Sequence, residues 1–436
     1  MTGTRIVTAS GGLVSANRRG YLLTAAVLLA TMVGGTLPIP LYVLYEQQMG
    51  FGPLGVTVVF AAYVVGTLAA LVTFGDLSDH IGRRKVLAIA VGCAAVSTAL
   101  FLVASGIGVL IAARIVSGLA AGFVTGTATA ALAELQPRGD RQAAAVAASG
   151  SNMTGLGLGP LAAGIFAAYI AMPARSVFWA YLGVCALALV TIAVIPEPVR
   201  HPDKVVRVRL RLGVPSGMRA VMLGACLGVF AAFSVLGFFS SLVPTFLHGI
   251  LGVRNLALIG AASFLIFITA AISQAVSAGL PSRRSVSAGL PLLLAALAAL
   301  ESALFARALW LFLAGTIIGG IAVGLVFRSG LSELNRLAQP RHRAAVVSTF
   351  FAAAYLGLGL PAVLTGLISQ PAGTVDASAY TSALVAAIVL AAFAVVRRSY
   401  GTAPAPRPPA RPATAGARRR NQPAQAWPKG KRSQGR

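Results

Sequence analysis

The sequence predicts an all-α membrane protein whose chain crosses the bilayer twelve times. Three observations carry this. Hydrophobic residues make up 57% of the 436 residues against 10% charged. The apolar residues gather in runs of membrane-spanning length. The basic residues fall in every second loop between those runs.

A soluble chain of this length needs more charge to cover its surface, so the outer surface is expected to face lipid. The net charge of +25 does not mark a nucleic-acid binder. The basic residues sit in short loops and one tail, with no aromatics interleaved to stack bases. Cys93, Cys185 and Cys226 each lie inside an apolar run. Odd in number and far apart, they form neither a disulfide framework nor a zinc site and read as small packing residues.

A helix needs about 20 apolar residues to cross the hydrocarbon. Twelve segments qualify: 21–43, 54–74, 86–104, 108–133, 144–170, 176–196, 220–246, 257–277, 287–305, 309–327, 345–369 and 379–396. Several hold Gly and Pro, which membrane helices tolerate because neighbouring helices satisfy the freed backbone groups. The break between the third and fourth rests on Ser105-Gly106-Ile107-Gly108, a turn signal. Arg18 and Arg19 precede an apolar run that continues to Pro40 and Tyr42 without a small-residue cleavage site. It is read as a first span, not as a removed signal.

Charge fixes the expected orientation. With both termini cytoplasmic, inside segments up to residue 400 carry 22 Lys or Arg, and outside loops hold only Arg175, Arg254 and Arg307. This bias predicts a multi-pass protein of the inner cell membrane. An odd number of spans would destroy the alternation.

An internal repeat of about 200 residues is visible. Gly82-Arg83-Arg84-Lys85-Val86 aligns with Ser282-Arg283-Arg284-Ser285-Val286. Ala133-Glu134-Leu135 is echoed by Ser332-Glu333-Leu334, and Gly155-Leu156-Gly157-Leu158-Gly159-Pro160 by Gly357-Leu358-Gly359-Leu360-Pro361. Six spans are thus written twice in parallel. The expected parts are a cytoplasmic N-terminal segment (1–20), a first six-helix bundle (21–196), a cytoplasmic linker (197–219) and a second bundle (220–398). Residues 399–436, rich in Pro, Ala, Gly and Arg, read as a disordered basic cytoplasmic tail. Anionic lipid would attract each basic residue there by up to about 1 kcal/mol.

Gly75-Asp76-Leu77-Ser78-Asp79-His80-Ile81-Gly82-Arg83-Arg84-Lys85 lies between spans 2 and 3. Gly75 and Gly82 permit tight turns, and Asp79 is an anion that can cap a helix or hold the basic cluster. The segment closely resembles the signature loop of the major facilitator superfamily, with His80 in place of the usual permanent cation. Plain positive-inside topology would explain Arg83–Lys85 but neither glycine nor Asp79. The resemblance covers roughly residues 20–396. It implies two six-helix bundles around a central cavity, alternating access by rocking of the halves, and a loop that latches the cytoplasmic gate.

In span 4, Arg114, Gly118, Gly122 and Gly126 share a helix face, where glycines let another backbone approach. A permanent charge at membrane depth is costly unless paired or wet. The segment is similar to a second family motif whose arginine takes part in substrate or proton coupling; the alternative is an arginine snorkelling from the outer end. Span 5 carries Gly155, Gly159, Pro160 and Gly164, which looks like the motif of proton-exchanging exporters. Ala163 stands where that pattern has a glycine, and tight packing alone is the other reading. Asn152 shares the face of Gly155 and Gly159 and is a candidate cavity residue.

Coupling to protons needs a titratable carboxyl in a low-dielectric place. Span 1 holds no acid, which leaves Glu46, Asp76 and Glu301. Glu134 and Glu333, related by the repeat, are expected gate contacts. The resemblance implies a cavity built from spans 1, 4, 7 and 10, helped by 2, 5, 8 and 11. Thr36, Pro38, Pro40, Tyr42, Tyr63, Phe230, Phe233, Phe238 and Phe239 lie on those spans, either lining the cavity or packing on other helices. Such a lining suits amphipathic organic molecules.

The expectation is a monomeric secondary transporter of a small organic molecule, most simply a proton-coupled exporter resembling the drug/proton antiporter branch. An importer or facilitator of a metabolite, or a transport-inactive sensor, uses the same scaffold. No enzyme, cofactor or metal site is expected. His80, His201, His248 and His342 are scattered among loops, and the chain has no phosphate-binding loop of an ATP-driven pump.

Overall fold

Pro38 and Pro40 shape the first element. The computed structural model describes residues 4–73, 77–172, 174–198, 218–339 and 343–401. It runs helix α1 (Thr4–Thr36) through most of the first predicted span. Proline lacks the N–H that a helix interior uses, and the chain tightens into a 3₁₀ turn, Ile39–Leu41. It restarts as α2 (Tyr42–Met49), which Gly50 closes in left-handed backbone at φ +70°. The predicted span 21–43 is therefore two helices joined by a proline turn.

The first half continues with α3 (Pro53–Thr73), the short α4 (Leu77–Ile81), α5 (Arg83–Leu102), α6 (Ile107–Leu135), α7 (Arg141–Tyr169) and α8 (Ser176–Val194). The second half comprises α9 (Arg219–Thr245), α10 (Leu256–Val276), α11 (Ser282–Ala306), α12 (Leu309–Leu337), α13 (Arg343–Ala372) and α14 (Thr374–Gly401). Twelve of these helices are long, and no strand occurs among the described residues. The expected linker and tail fall mostly outside the described residues.

Local chemistry sets several boundaries. Ser105-Gly106 separates α5 from α6, as the turn signal predicts. Asp140 caps α7, its Oδ1 accepting from the Gln142 and Ala143 amides at 2.9 and 3.0 Å, and Asn255 caps α10 in the same way. Past Pro244, α9 widens into a π-helical turn, Phe246–Ile250. Span 10, expected to end at residue 327, continues to Leu337.

Eleven of the long helices are apolar enough to cross a membrane among the described residues; α7 is not one of them. Its Gly, Ser, Thr and Asn residues lower its hydropathy, and it lies against α1 and α10. Burial separates central from peripheral helices. About two thirds of the most apolar stretch of α9 is buried (67%), against 33% of the corresponding stretches of α8 and α14.

The parallel repeat is visible in the packing. The counterparts are α1 and α9, α3 and α10, α5 and α11, α6 and α12, α7 and α13, and α8 and α14. α1 packs on α6 and α7 as α9 packs on α12 and α13. α6 packs on α3 and α5 as α12 packs on α10 and α11. Across the halves α7 meets α10 and α3 meets α13, and exchanging the halves turns one pair into the other.

Close backbone approach marks these seams. A Cβ on Gly66 would run into the Ile115 carbonyl, and one on Gly118 into the Tyr63 carbonyl, across the α3–α6 seam. Between α1 and α7, Gly155 faces the Leu29 carbonyl and Gly159 the Val33 carbonyl. Pro160 sits beside this seam within α7, and its carbonyl closes on Gly260 of α10. Gly122 meets Ala70 and Thr67, whereas Gly126, one turn further, has nothing within 4 Å.

The same substitution should therefore act oppositely at two positions of α6. Gly118→Ala is expected to destabilise by about 1–3 kcal/mol through overpacking. Gly126→Ala should be neutral or stabilise by up to about 1 kcal/mol through helix propensity. Thermal unfolding of the purified protein in detergent, followed by intrinsic fluorescence, checks this; equal shifts would contradict the packing.

Candidate functional site: a cavity between the two halves

A cavity of about 510 Å³ lies between the halves. The first half contributes Thr36, Tyr63, Arg114 and Asn152, and the second Phe233, Phe327 and Tyr355. Its exposed lining residues, Gly126, Thr129 and Ala145, lie toward the α6–α7 turn. The cavity thus opens at the end of the molecule that carries Arg83 and Arg84. At the other end Leu37, Ile39, Leu41 and Tyr42 are at most 1% exposed and form a plug, to which the proline turn contributes.

Arg114 is the one charged residue among the described lining residues. It is 1% exposed, so it does not snorkel to water. Nη1 donates to the Gly35 carbonyl at 2.5 Å, and Nη2 makes a long contact of 3.5 Å with the Phe60 carbonyl. The guanidinium lies over the Tyr63 ring at 4.7 Å and near the Phe60 ring at 5.8 Å. Carbonyl dipoles and ring faces thus offset part of the cost of burial. No ion pair to Arg114 exists among the described residues, and its buried Nε has no partner.

An aromatic belt crosses the cavity. Tyr63 of α3 is tilted on Tyr355 of α13 at 6.3 Å between centroids. Tyr355 meets Phe233 at 6.2 Å and Phe351 at 6.5 Å, and Phe327 meets Phe233 at 5.6 Å. Nearby, Asn152 donates to the Thr125 hydroxyl at 3.3 Å, and Thr36 donates to the Leu156 carbonyl at 2.6 Å.

Of the sequence-derived coupling candidates, Arg114, Asn152 and Tyr63 line this cavity; Glu301 and Glu46 do not. Glu46 sits half-buried on α2 at the closed end. Glu301 lies between α11 and α14, where Ser378 and Ser382 donate to Oε1 at 2.7 and 2.6 Å. Its Oε2 is buried without a partner. Asp76 and Gly75 lie outside the described residues. Phe233 and Thr36 line the cavity, whereas Pro38, Pro40, Tyr42, Phe230, Phe238 and Phe239 do not. Phe239 instead stacks on Phe312 at 5.0 Å. Sequence reasoning passed over Phe327, Phe351 and Tyr355, although Phe351 and Tyr355 stand four apart on one helix face.

The loop between α3 and α5 is organised around Arg83, whose side chain is 9% exposed. Its fork grips Glu134, with Nη2 at 2.7 Å from Oε1 and Nε at 3.2 Å from Oε2. Nη1 reaches Asp79 at 2.6 Å and the Ser78 hydroxyl at 2.5 Å. Glu197, which sequence reasoning did not single out, caps α5. Its two oxygens accept the Arg83 and Arg84 amides at 2.9 and 3.0 Å. Gly82, at φ +99°, leaves room for that carboxylate; a Cβ there would stand 2.8 Å from Oε2. Arg84 adds a bond to the Ala193 carbonyl at 2.7 Å, and Lys85 is exposed. These partners lie in the first half, apart from Glu197 at the start of the expected linker. In the second half Glu333 pairs instead with Arg336 of its own helix at 2.5 Å.

Removing one carboxylate at a time should separate the roles of this cluster. Glu134→Gln breaks the grip on a buried guanidinium and is expected to cost about 1–3 kcal/mol. Asp79, 55% exposed, should cost at most about 1 kcal/mol as Asp79→Asn. Thermal unfolding of the two variants checks the order, and a larger loss for Asp79→Asn would refute it.

Comparisons with known proteins agree with this architecture. A family model described as Major Facilitator Superfamily matches residues 23–302. A triacylglyceride transporter of Mycolicibacterium hassiacum is 28% identical over 149 residues, 34% of this chain and 28% of that protein. An uncharacterized MFS-type transporter of Mycobacterium tuberculosis is 29% identical over 207 residues, 46% of this chain and 29% of that protein. The matched segments thus span less than a third of these relatives' own length. The crystal structure of the human organic anion transporter MFSD10 (TETRAN) superposes with a TM-score of 0.62 at 18% identity, covering 87% of this chain and 99% of that one. At that identity the likeness is one of fold.

Proposed function

Because the chain belongs to the Major Facilitator Superfamily, we propose that it is a secondary active transporter that exports a small organic molecule in exchange for protons. The carrying observation is the cavity shared by both halves, open at one end and plugged at the other. Rocking of the halves about the α7–α10 and α3–α13 seams would open the plugged end and close the other. The open end carries the basic residues and is cytoplasmic by the charge bias. Both termini then face the cytoplasm, the protein works as a monomer of the inner membrane, and the cavity faces inward.

Glu301 is our choice for the proton site. Two hydroxyls hold one carboxyl oxygen, and the other is buried without a partner, and an acid inside a membrane span is costly unless it has a functional task. It lies away from the cavity, so it would act by altering how α11 packs on α14. The loop around Arg83 serves as the latch of the cytoplasmic gate. A lipid cargo is the second reading. The largely apolar lining favours it, as does the name of the triacylglyceride-transporting relatives.

Transport in proteoliposomes with an imposed pH gradient tests the proposal, over lipophilic cations, neutral compounds, organic acids and a labelled triacylglyceride. Flux should follow the gradient; flux indifferent to it would sink the exchange mechanism. Movement of the triacylglyceride alone would select the second reading. Glu301→Gln should abolish the pH dependence while leaving counterflow intact, and unchanged pH dependence would remove Glu301 from the relay. Asp79→Asn should slow transport about tenfold, the rate equivalent of one charge-assisted hydrogen bond. Wild-type flux would argue against the latch.

A further inference from the structure

The charge balance of the cavity points to the chemistry of its cargo. The described lining residues include no Asp or Glu, and one permanent cation, Arg114. A buried charge normally has a counter-charge, yet none of the described residues supplies one. The bonding of the guanidinium is uneven. Nη1 is committed to Gly35, whereas the Nε–Nη2 edge carries only the 3.5 Å contact to Phe60 and an unpartnered donor. That edge is the one that receives two oxygens of a carboxylate side by side. The Ser240 hydroxyl, on α9 of the other half, is also buried and unpartnered among the residues that line the cavity.

We propose that the cargo is an amphipathic organic monoanion, with its acid group on the Nε–Nη2 edge of Arg114 and its apolar body on the belt of Phe233, Phe327, Phe351 and Tyr355. This rests on the transport reading above and adds the cargo's charge and orientation. The acid points to the plugged end and the body to the open end. The anion takes the edge by displacing the long Phe60 contact, and it supplies the counter-charge that none of the described residues provides. One cation matches one negative charge; a polyanion such as a nucleotide would find no second Lys or Arg among the described lining residues. The ring faces suit a flat or aliphatic body and give little directional selectivity.

Binding to the full-length protein in lipid nanodiscs tests this without requiring transport. The probes are a bicyclic aromatic carboxylate, its uncharged primary amide, the corresponding aromatic methylamine and a long-chain fatty acid. The carboxylate should bind at least about tenfold tighter than the amide, one tenfold step for the lost charge-assisted contact, with the amine weakest. Tighter binding by the fatty acid would identify a membrane source of the same anion, and tighter binding by the aromatic acid a soluble one. Arg114→Gln should abolish the preference for the anion. Because Arg114 also holds the Gly35 carbonyl, two variants guard against loss of folding. Arg114→Lys keeps the charge and should retain the preference with weaker binding, and Asn152→Asp places an acid in the wall and should weaken the anion several-fold. Amide or amine binding as tight as the carboxylate, or no binding by either acid, would overturn the proposal. Counterflow of the same probes separates the two claims. An acid that binds but is never moved refutes the transport reading alone, and gradient-driven flux of neutral compounds without acid binding refutes this one alone.

Discussion

In a bilayer an apolar side chain gains nothing by facing another helix in place of lipid, so association rests on close packing and on the polar groups that helices share. In this chain that constraint falls on backbone-to-backbone contacts at glycine. Gly66 and Gly118 join α3 to α6, Gly155 and Gly159 join α1 to α7, and Gly260 joins α10 to α7. The first-half wall of the cavity is built on these seams. Arg114 reaches the Gly35 carbonyl and the Tyr63 ring because α1, α3 and α6 approach closely enough for one side chain to span them.

The two halves share packing topology but differ in charge. The first half binds its loop arginine, Arg83, to Glu134, Asp79 and Ser78 and caps α5 with Glu197. The second half keeps the related acid, Glu333, on a partner three residues away. Arg328 of α12 donates instead to the carbonyls of Ala278 and Leu280, and Gln142 of α7 donates to the same Ala278 carbonyl at 2.6 Å. The turn after α10 is thus held by carbonyl contacts and tied to the first half, where its counterpart uses ion pairs. A similar division separates Arg114, a buried cation lining the cavity, from Glu301, a half-buried acid between α11 and α14 of the second half. The two charged groups thus belong to different parts of the molecule.

Much of this was legible in the residues. Span number and repeat follow from apolar runs and from the offset of about 200, because lipid demands long helices and a duplicated chain keeps its register. Arg114 and Tyr63 were legible as cavity candidates because a polar group on an otherwise apolar helix needs a reason to be there, and Asn152 because it shares the face of Gly155 and Gly159. Phe327, Phe351 and Tyr355 escaped notice because an aromatic in an apolar span is equally at home against lipid, and composition does not distinguish the two. Glu197 was hidden for a different reason: it caps a helix more than a hundred residues earlier, and no local pattern encodes such a contact.

The sequence by itself determined the fold class, the number of crossings, the duplication and the family, since these depend on length, hydropathy and short motifs. Only the tertiary structure decided which end of the cavity is open and which aromatics line it. Only there does Arg114 prove to lack a counter-charge among the described residues while Glu301 lies outside the cavity. Those properties depend on which helices meet and at what distance, and backbone contacts between segments far apart in the chain set both.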